Sequence, residues 1–419
     1  MCEQTFNAVS LLGHTPMKIT SQAQRTRRDF ELGCVTGPKQ LRAQVAFSPR
    51  ILSAEVPAKV LVTGASGYIA SHVVKQLQEA GHQVRGTVRS VKNTDKVKHL
   101  YNLCPNAAHK LELVEADLMD AESWSPAVEG MTYVIHVASP FPLAQPKNED
   151  ELIKPAVEGT LNVLRACAKV PSIKRVVVTS SCAAVGYDLC DPHAAPLSEK
   201  DWTDPTKVDA YTKSKTLAEC AAWDFVEKLT GDEKFELAVI NPSLVLGPPL
   251  HGTSCTSVDI MKQLLERQMP VVARLSFAIV DVRDVALAHV RAMTSPEAAG
   301  HRHVCTTSSM WFQQIAVLLK SVFGPQGYNV PTSNAPYFMI WIASFFDKTA
   351  ATMLKHIGVE RRYDNRRFRE VLGIQPRDVR DSIIEMAYAL IESGFVKKTD
   401  KYRGPGGPEE RQRYMDLKL

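Results

Sequence analysis

Cysteine is sparse and unpatterned in this chain. Nine cysteines are scattered over 419 residues, an odd count with no CxxC pair. That supports neither a zinc site nor a disulfide framework, and it fits a reducing compartment, so the cytoplasm is the expected location. No run of about 18 apolar residues occurs, so no transmembrane helix and no membrane partner are expected. The longest apolar stretch, Tyr337 to Phe346, has the length of a core helix and is followed at once by Asp347, which reads as core packing. Basic and aromatic residues are nowhere interleaved, and a formal net charge of +5 is small for this length, so no nucleic acid partner is expected. There is no secretory h-region, no internal repeat and no spacing that suggests a metal.

What is present is ordinary for a globular protein: 45% hydrophobic and 23% charged residues. The length exceeds what most single cores need, so one large or two interleaved domains are expected. Residues 1–57 lack an apolar period and end at Pro57. They read as a disordered extension. Their first 28 residues hold Lys18, Arg25, Arg27 and Arg28 against one acid, Glu3, so a mitochondrial presequence is the alternative.

From Lys59 the pattern becomes regular. Short apolar strands at Val60–Val62, Gln83–Arg89, Leu111–Val114, Tyr133–Val137, Arg175–Thr179 and Leu237–Ile240 alternate with helical stretches at Tyr68–Ala80, Glu151–Lys169 and Asp209–Leu229. Strands of this kind, separated by helices, predict an α/β fold: a doubly wound parallel sheet of the Rossmann type over residues 58–250. After about Gly247 the alternation fades. Helices are expected at Val258–Gln268, Val282–Met293, Phe312–Phe323 and Arg380–Ser393, as a smaller substrate-binding lobe over 251–399, partly interleaved with the first domain. Residues 400–419, with Gly404-Pro-Gly-Gly-Pro408 and then charges, read as a mobile tail.

Two motifs carry chemistry. The first is Gly64-x-x-Gly67-x-x-Ala70, after a strand and opening a helix. Gly64 permits the tight turn, Gly67 lets backbone approach a pyrophosphate, and Ala70 is small enough for close packing of helix on strand. At the end of the second strand an acid would grip the 2′-hydroxyl of NAD, but none occurs from Gln83 through Thr94. Arg89 stands there, suited to the 2′-phosphate of NADP(H). Asp117, at the end of the third strand, could accept from an adenine amine or cap the next turn.

The second motif is Tyr211-Thr-Lys-Ser-Lys215, which sets a phenol and an ammonium one helical turn apart. The ammonium should lower the Tyr211 pKa from near 10, and Tyr211 would protonate a carbonyl oxygen as hydride reaches its carbon. Of Thr179, Ser180 and Ser181, which end the fifth strand, Ser181 is chosen by position to hold the substrate oxygen; the hydroxyls could otherwise cap backbone groups. Pro242 ends the sixth strand and fixes the chain direction there. His136 reads as a core or wall residue, Asp281, Arg283 and Asp284 as structural, and none of Cys182, Cys190 and Cys220 as a nucleophile.

Together these stretches resemble the extended short-chain dehydrogenase/reductase family, in its dihydroflavonol 4-reductase and cinnamoyl-CoA reductase-like branch, which also holds fungal aldehyde and ketone reductases. The resemblance runs from about Val60 to Val396 and is carried by VTGASGYIASH (62–72), VRGTVRS (84–90), HVASPF (136–141), VVVTSSCAAV (176–185), YTKSKTLAE (211–219) and INPSLVLGP (240–248). It implies NADP(H) and a catalytic triad of Ser181, Tyr211 and Lys215. It also implies that Gly64, Ser66, Gly67, Tyr68 and Ile69 hold the cofactor, with Arg89 and Lys96 on the 2′-phosphate. By the same resemblance Asp117 and Leu118 line the adenine, Val137, Ala138 and Ser139 run along the cofactor, Tyr211 and Lys215 contact it, and Pro242 backs the nicotinamide. The substrate-recognition residues of the plant enzymes find no match in 187–208 or 250–280, so flavonoid or cinnamoyl-CoA specificity is not implied. The 57-residue extension is foreign to the family.

The expected activity is NADPH-dependent reduction of a small-molecule ketone or aldehyde by a monomer or homodimer. Phe141, Tyr187, Trp202 and Phe277 suggest an apolar or aromatic carbonyl. The rivals are an NAD-dependent epimerase or hydroxysteroid-type dehydrogenase on the same frame, and a non-enzymatic dinucleotide sensor, which would have no need of the Tyr–Lys pair.

Overall fold

The computed structural model describes residues 57–140, 148–189, 195–252, 255–345 and 354–419. The extension expected before Pro57 lies outside the described residues, as do Phe141 and Cys190. Seven parallel strands form the large sheet: β1 (Lys59–Thr63), β2 (Gln83–Val88), β3 (Glu112–Glu115), β4 (Tyr133–His136), β5 (Arg175–Thr179), β6 (Glu236–Pro242) and β9 (His301–Cys305). Their order across the sheet is β3-β2-β1-β4-β5-β6-β9. This is the doubly wound dinucleotide-binding order, with its switch point between β1 and β4. The other three strands, β7 (Leu244–Leu246), β8 (Ser276–Asp281) and β10 (Ser308–Trp311), make a small sheet ordered β10-β8-β7.

A parallel sheet needs cover on both faces, and the buried runs of β1, β5 and β6 supply apolar side chains to each. On one face, Val73, Val74 and Leu77 of α1 (Tyr68–Glu79) share a core with Val285, Ala288 and Ala292 of a later helix (Val282–Thr294). Val97 of the short helix α2 (Thr94–Val97) joins the same core, while on the other face the short helix α3 (Trp124–Val128) precedes the long helices α4 (Asp150–Ala168) and α5 (Ala210–Glu227). There Val163, Leu164, Ala222 and Trp124 pack against Leu61, Val134, Val176 and Val239.

The second core belongs to the lobe. It joins Met261 and Leu264 of α6 (Thr256–Leu265), Leu319 and Phe323 of α8 (Phe312–Phe323), and Ile383 and Leu390 of α10 (Val379–Glu392). The helix Val282–Thr294, here α7, and strand β9 both come from the lobe's stretch of sequence yet complete the large sheet and its cover. The alternation is hard to read there because β9 is half polar, His301-Arg-His-Val-Cys305, although four of its five residues are buried.

Two expectations are overturned. The stretch read as a core helix, Tyr337 to Phe346, forms α9 (Tyr337–Ala343) on the surface, with Tyr337, Phe338, Met339, Trp341, Ile342 and Phe345 exposed. Its continuous hydrophobicity left no polar face by which its side of the fold could be read. The stretch read as a mobile tail carries helix α11 (Pro408–Met415). Pro408 is a good first helical residue there rather than a breaker. Tyr414 of that helix is buried in the lobe core, its hydroxyl donating to Asp381 Oδ1 at 2.7 Å, while Arg411 pairs with Asp381 at 2.7 Å. Truncating this anchor, Tyr414→Ala, should lower stability by about 3 kcal/mol in a denaturant titration. A terminal segment that only trailed in solvent would leave the midpoint unchanged.

Candidate active site

The site lies at the carboxyl ends of β1, β4, β5 and β6, where open α/β sheets bind ligands. The glycine turn follows β1. Gly64 has φ +64°, a left-handed conformation that disfavours a side chain. A Cβ on Gly64 would also sit 3.1 Å from Ala138 Cβ, so the turn is pressed against the end of β4. Gly67 N donates to Gly64 O at 2.8 Å and closes the turn. Gly67 then caps α1 without a side-chain hydrogen bond, so the first amides of a 12-residue helix have no side-chain acceptor and suit an anion. Tyr68 and Ile69 begin this helix. The Tyr68 side chain is buried in the core beneath this helix, its hydroxyl donating to Gly247 O, just after β7, at 2.7 Å. Ser66 O is met by the ring of His251 at 2.9 Å, and that ring stacks on His99 with centroids 3.5 Å apart.

Thr63 organises the next strand end. Its Oγ1 accepts from Val137 N at 3.1 Å and Ala138 N at 2.9 Å, and shares a 2.9 Å hydrogen bond with His136 Nδ1. His136 is buried, which, with the nearby Lys215, pushes its pKa down to about 3. It is a neutral wall residue.

Arg89 follows β2 and is exposed, as is Lys96 in α2. Asp117 ends the third strand's loop, where its Oδ1 accepts from Met119 N at 2.9 Å. Of the two roles open to Asp117, the capping one is therefore filled by its own turn. Leu118 packs beneath α4, where a Cβ on Gly159 would come within 3.0 Å of Leu118 Cβ.

The hydroxyls at the end of β5 go three separate ways. Thr179 Oγ1 bonds His289 Nε2 on α7 at 2.7 Å. Ser180 Oγ donates to Glu219 Oε2 at 2.5 Å. Ser181 caps a short 3-10 turn, accepting from Ala183 N at 3.1 Å, and hydrogen-bonds Tyr211. Tyr211 is in the first turn of α5, where Asp209 Oδ1 accepts from its amide at 3.0 Å and from that of Thr212 at 3.1 Å. One turn on, Lys215 Nζ donates to Ser139 Oγ at 2.9 Å and lies 5.9 Å from the Tyr211 ring centroid. Pro242 is the last residue of β6, beside the β5 hydroxyls.

The expected drop in the Tyr211 pKa is not what the site produces. Burial pushes it up to about 12, with the Ser181 hydrogen bond pulling against that rise. Burial also pulls the Lys215 ammonium down to about 8. Desolvation wins because Lys215 is directed at Ser139 rather than at the phenol oxygen. The thiols of Cys182 and Cys220 are raised by burial, so neither is a ready nucleophile. Asp281 caps α7, accepting from Arg283 N at 2.7 Å.

Of the four aromatics named in the sequence, Tyr187 packs edge-on against His356 and lies under the Arg361 guanidinium, 3.8 Å from ring centroid to its carbon. Trp202 stacks on Arg302, 3.7 Å from ring centroid to guanidinium carbon, and Phe277 packs edge-on against Phe312 at the lobe core. Two residues of the site escaped the sequence reading: Thr63 and Glu219. Glu219 had a signal, since Tyr211, Lys215 and Glu219 recur every four residues along α5.

The sequence model of the NAD dependent epimerase/dehydratase family matches residues 60–306. A cinnamoyl-CoA reductase of Medicago truncatula is 38% identical over 269 residues, which are 63% of this chain and 80% of that one. Among solved structures, Gre2 from Candida albicans in complex with NADPH superposes with a TM-score of 0.66 at 30% identity, over 80% of this chain and 99% of that one. Yeast methylglyoxal/isovaleraldehyde reductase Gre2, complexed with NADPH, gives 0.67 at 27% identity, over 81% of this chain and 100% of its own. A phosphate-ready glycine turn, a doubly wound sheet and a Ser–Tyr–Lys grouping at its strand ends thus meet a match over more than half of the chain, which belongs to the NAD dependent epimerase/dehydratase family of extended short-chain dehydrogenases/reductases.

Proposed function

We propose that this chain is an NADPH-dependent reductase of ketones or aldehydes, with Ser181, Tyr211 and Lys215 at its catalytic centre. The observation that carries the reading is the fate of the β5 hydroxyls. Thr179 and Ser180 are spent on His289 and Glu219, while Ser181 is hydrogen-bonded to Tyr211. A carbonyl oxygen set between Ser181 Oγ and the Tyr211 hydroxyl meets two donors at once.

The residues fit a dinucleotide. The Gly64 turn, the open first turn of α1 and the absence of an acid from Gln83 through Thr94 suit a pyrophosphate and a 2′-phosphate. Arg89 and Lys96 would hold the 2′-phosphate, Val137, Ala138 and Ser139 would border the cofactor, and Pro242 would back its nicotinamide. Bound NADPH supplies the hydride. Tyr211, with its pKa pushed up to about 12, keeps its proton until negative charge develops on the substrate oxygen, and then delivers it. Ser181 steadies that oxygen. Lys215, held by Ser139, sets a positive charge 5.9 Å from the Tyr211 ring centroid. Among the described residues the cysteines are free, in keeping with a reducing compartment such as the cytoplasm. The similar yeast Gre2 is by name a methylglyoxal/isovaleraldehyde reductase, and small aldehydes and dicarbonyls are accordingly the first substrates to try.

NADPH oxidation should be measured with purified protein against aldehydes, diketones and aryl ketones. Tyr211→Phe should cut kcat by about 10²–10⁴-fold while NADPH still binds. Turnover undiminished in that variant would remove Tyr211 from the chemistry, and tight NADPH binding with no turnover of any carbonyl would favour a sensor.

Arg89→Ala should weaken NADPH binding by about tenfold to a hundredfold in a fluorescence titration and leave NADH binding unchanged. Equal loss for both cofactors would deny Arg89 its role in choosing between them.

The reaction should also follow the charge on Lys215. That amine is pulled down to about 8 by burial, so it is charged below that pH and neutral above it, whereas Tyr211 stays protonated throughout. The value of kcat/KM for reduction should therefore fall as pH rises through about 8, and Lys215→Arg, which stays charged, should flatten that limb. A limb that persists in the variant belongs to another group.

A further inference from the structure

Behind the reacting groups, α5 carries a third polar side chain on the same face. Glu219 follows Lys215 by one turn, as Lys215 follows Tyr211, but it points into the protein and is buried. Its Oε2 accepts from Ser180 Oγ at 2.5 Å and Asn241 Nδ2 at 2.8 Å. Its Oε1 accepts from Arg302 Nε at 2.6 Å and Trp223 Nε1 at 3.4 Å. Strands β5, β6 and β9 and helix α5 thus meet on one carboxylate.

The partners of Glu219 reach on toward Ser181. Asn241 Nδ2 also donates to Ser181 O at 3.2 Å. Arg302, itself buried, donates through Nη2 to Ala184 O at 2.8 Å and through Nη1 to Asp201 O at 2.7 Å and Glu199 O at 3.2 Å. The Trp202 ring covers the guanidinium. The 3-10 turn Cys182–Ala184, which Ser181 caps, is therefore gripped at both ends: at Ser181 O through Asn241 and at Ala184 O through Arg302.

We propose that Glu219, with Arg302 and Asn241, is a buried clamp that sets where Ser181 stands relative to Tyr211, which makes Glu219 a positioning residue for the reaction. The inference rests on the reading of Ser181 and Tyr211 given above. Glu219 touches neither hydroxyl. It acts by fixing the backbone on which one of them rides while belonging to the helix that carries the other. A shape-matched but uncharged side chain at 219 would leave the Arg302 guanidinium without its carboxylate, and a polar group buried without its partner is costly enough to move the strand ends.

Crystal structures and kinetics of Glu219→Gln, Asn241→Ala and Ser181→Ala, with the two double variants that include Ser181→Ala, test this. The crystal structures are read for the distance between Ser181 Oγ and the Tyr211 hydroxyl, whether or not a substrate is known. Both single clamp variants should lengthen it, and an unchanged distance overturns the proposal. Kinetics use the aldehyde, diketone or aryl ketone turned over fastest. Glu219→Gln should lower kcat by about tenfold to a hundredfold with NADPH affinity kept, the size expected from misplacing a reacting group by about 1 Å. If the effect passes through Ser181, Ser181→Ala/Glu219→Gln should be no slower than Ser181→Ala alone. Losses that multiply would show that Glu219 serves the fold at large and would sink the clamp. Should Glu219→Gln fail to fold, Asn241→Ala carries the same test, because it cuts the tie to Ser181 O and leaves Glu219 paired with Arg302. Failure of the underlying reading has a separate signature: Ser181→Ala itself would turn over at the wild-type rate.

Discussion

All seven strands of the large sheet run in one direction, so each connection must cross over a face and each face must be covered. The first crossovers wind one way from β1 and the next wind the other way through β4, which opens a fork between those two strands. The glycine turn and the proposed catalytic residues are gathered at this fork and the strand ends beside it. The fork is narrow. Gly64 and Ala138 come so close that a methyl group on Gly64 would touch the neighbouring strand, and Thr63 ties the two strand ends with one hydroxyl. Backbone amides are thereby brought to the place where a phosphate can reach them.

The same burial that secures the sheet sets the chemistry. Lys215 and Tyr211 sit half-buried at the carboxyl end of the sheet, and desolvation moves the two pKa values apart, the amine down to about 8 and the phenol up to about 12. Burial favours the neutral form of each, so the phenol keeps its proton rather than standing as a phenolate, as the proposed role of proton donor requires. The neutral His136 behind Lys215 adds no charge of its own to compete. Specific hydrogen bonds then divide labour among chemically similar groups. Three adjacent hydroxyls differ in role because only one of them is left beside the phenol.

The lobe is less independent than its stretch of sequence suggests. Helix α7 and strand β9 leave it to complete the large sheet, and Arg302 of β9 reaches the carboxylate of Glu219. The lobe's own core closes with α11, whose Tyr414 is buried although its flanks are charged. Helix α9 is the opposite case, apolar in sequence and exposed in the fold. Both misreadings have one origin. Local hydrophobicity reports what a segment could bury, whereas burial is decided by which surfaces the rest of the chain leaves open.

By itself the sequence determined the periodic part of this protein. Apolar strands of fixed length, a glycine turn between strand and helix and a Tyr–Lys pair one helical turn apart are local patterns, enforced by backbone geometry within a few residues, so the sheet, the cofactor turn and the Tyr211–Lys215 pair could be read directly. The tertiary structure alone decided the rest: that β9 adds a seventh strand, that Asp117 is engaged by its own turn, that burial raises the Tyr211 pKa rather than Lys215 lowering it, and that Glu219 joins three strands to α5. These depend on side chains as much as 83 residues apart in sequence, as Glu219 and Arg302 are, and on how completely water is removed between them. No local pattern encodes either, because desolvation and long-range pairing exist only once the chain has closed on itself.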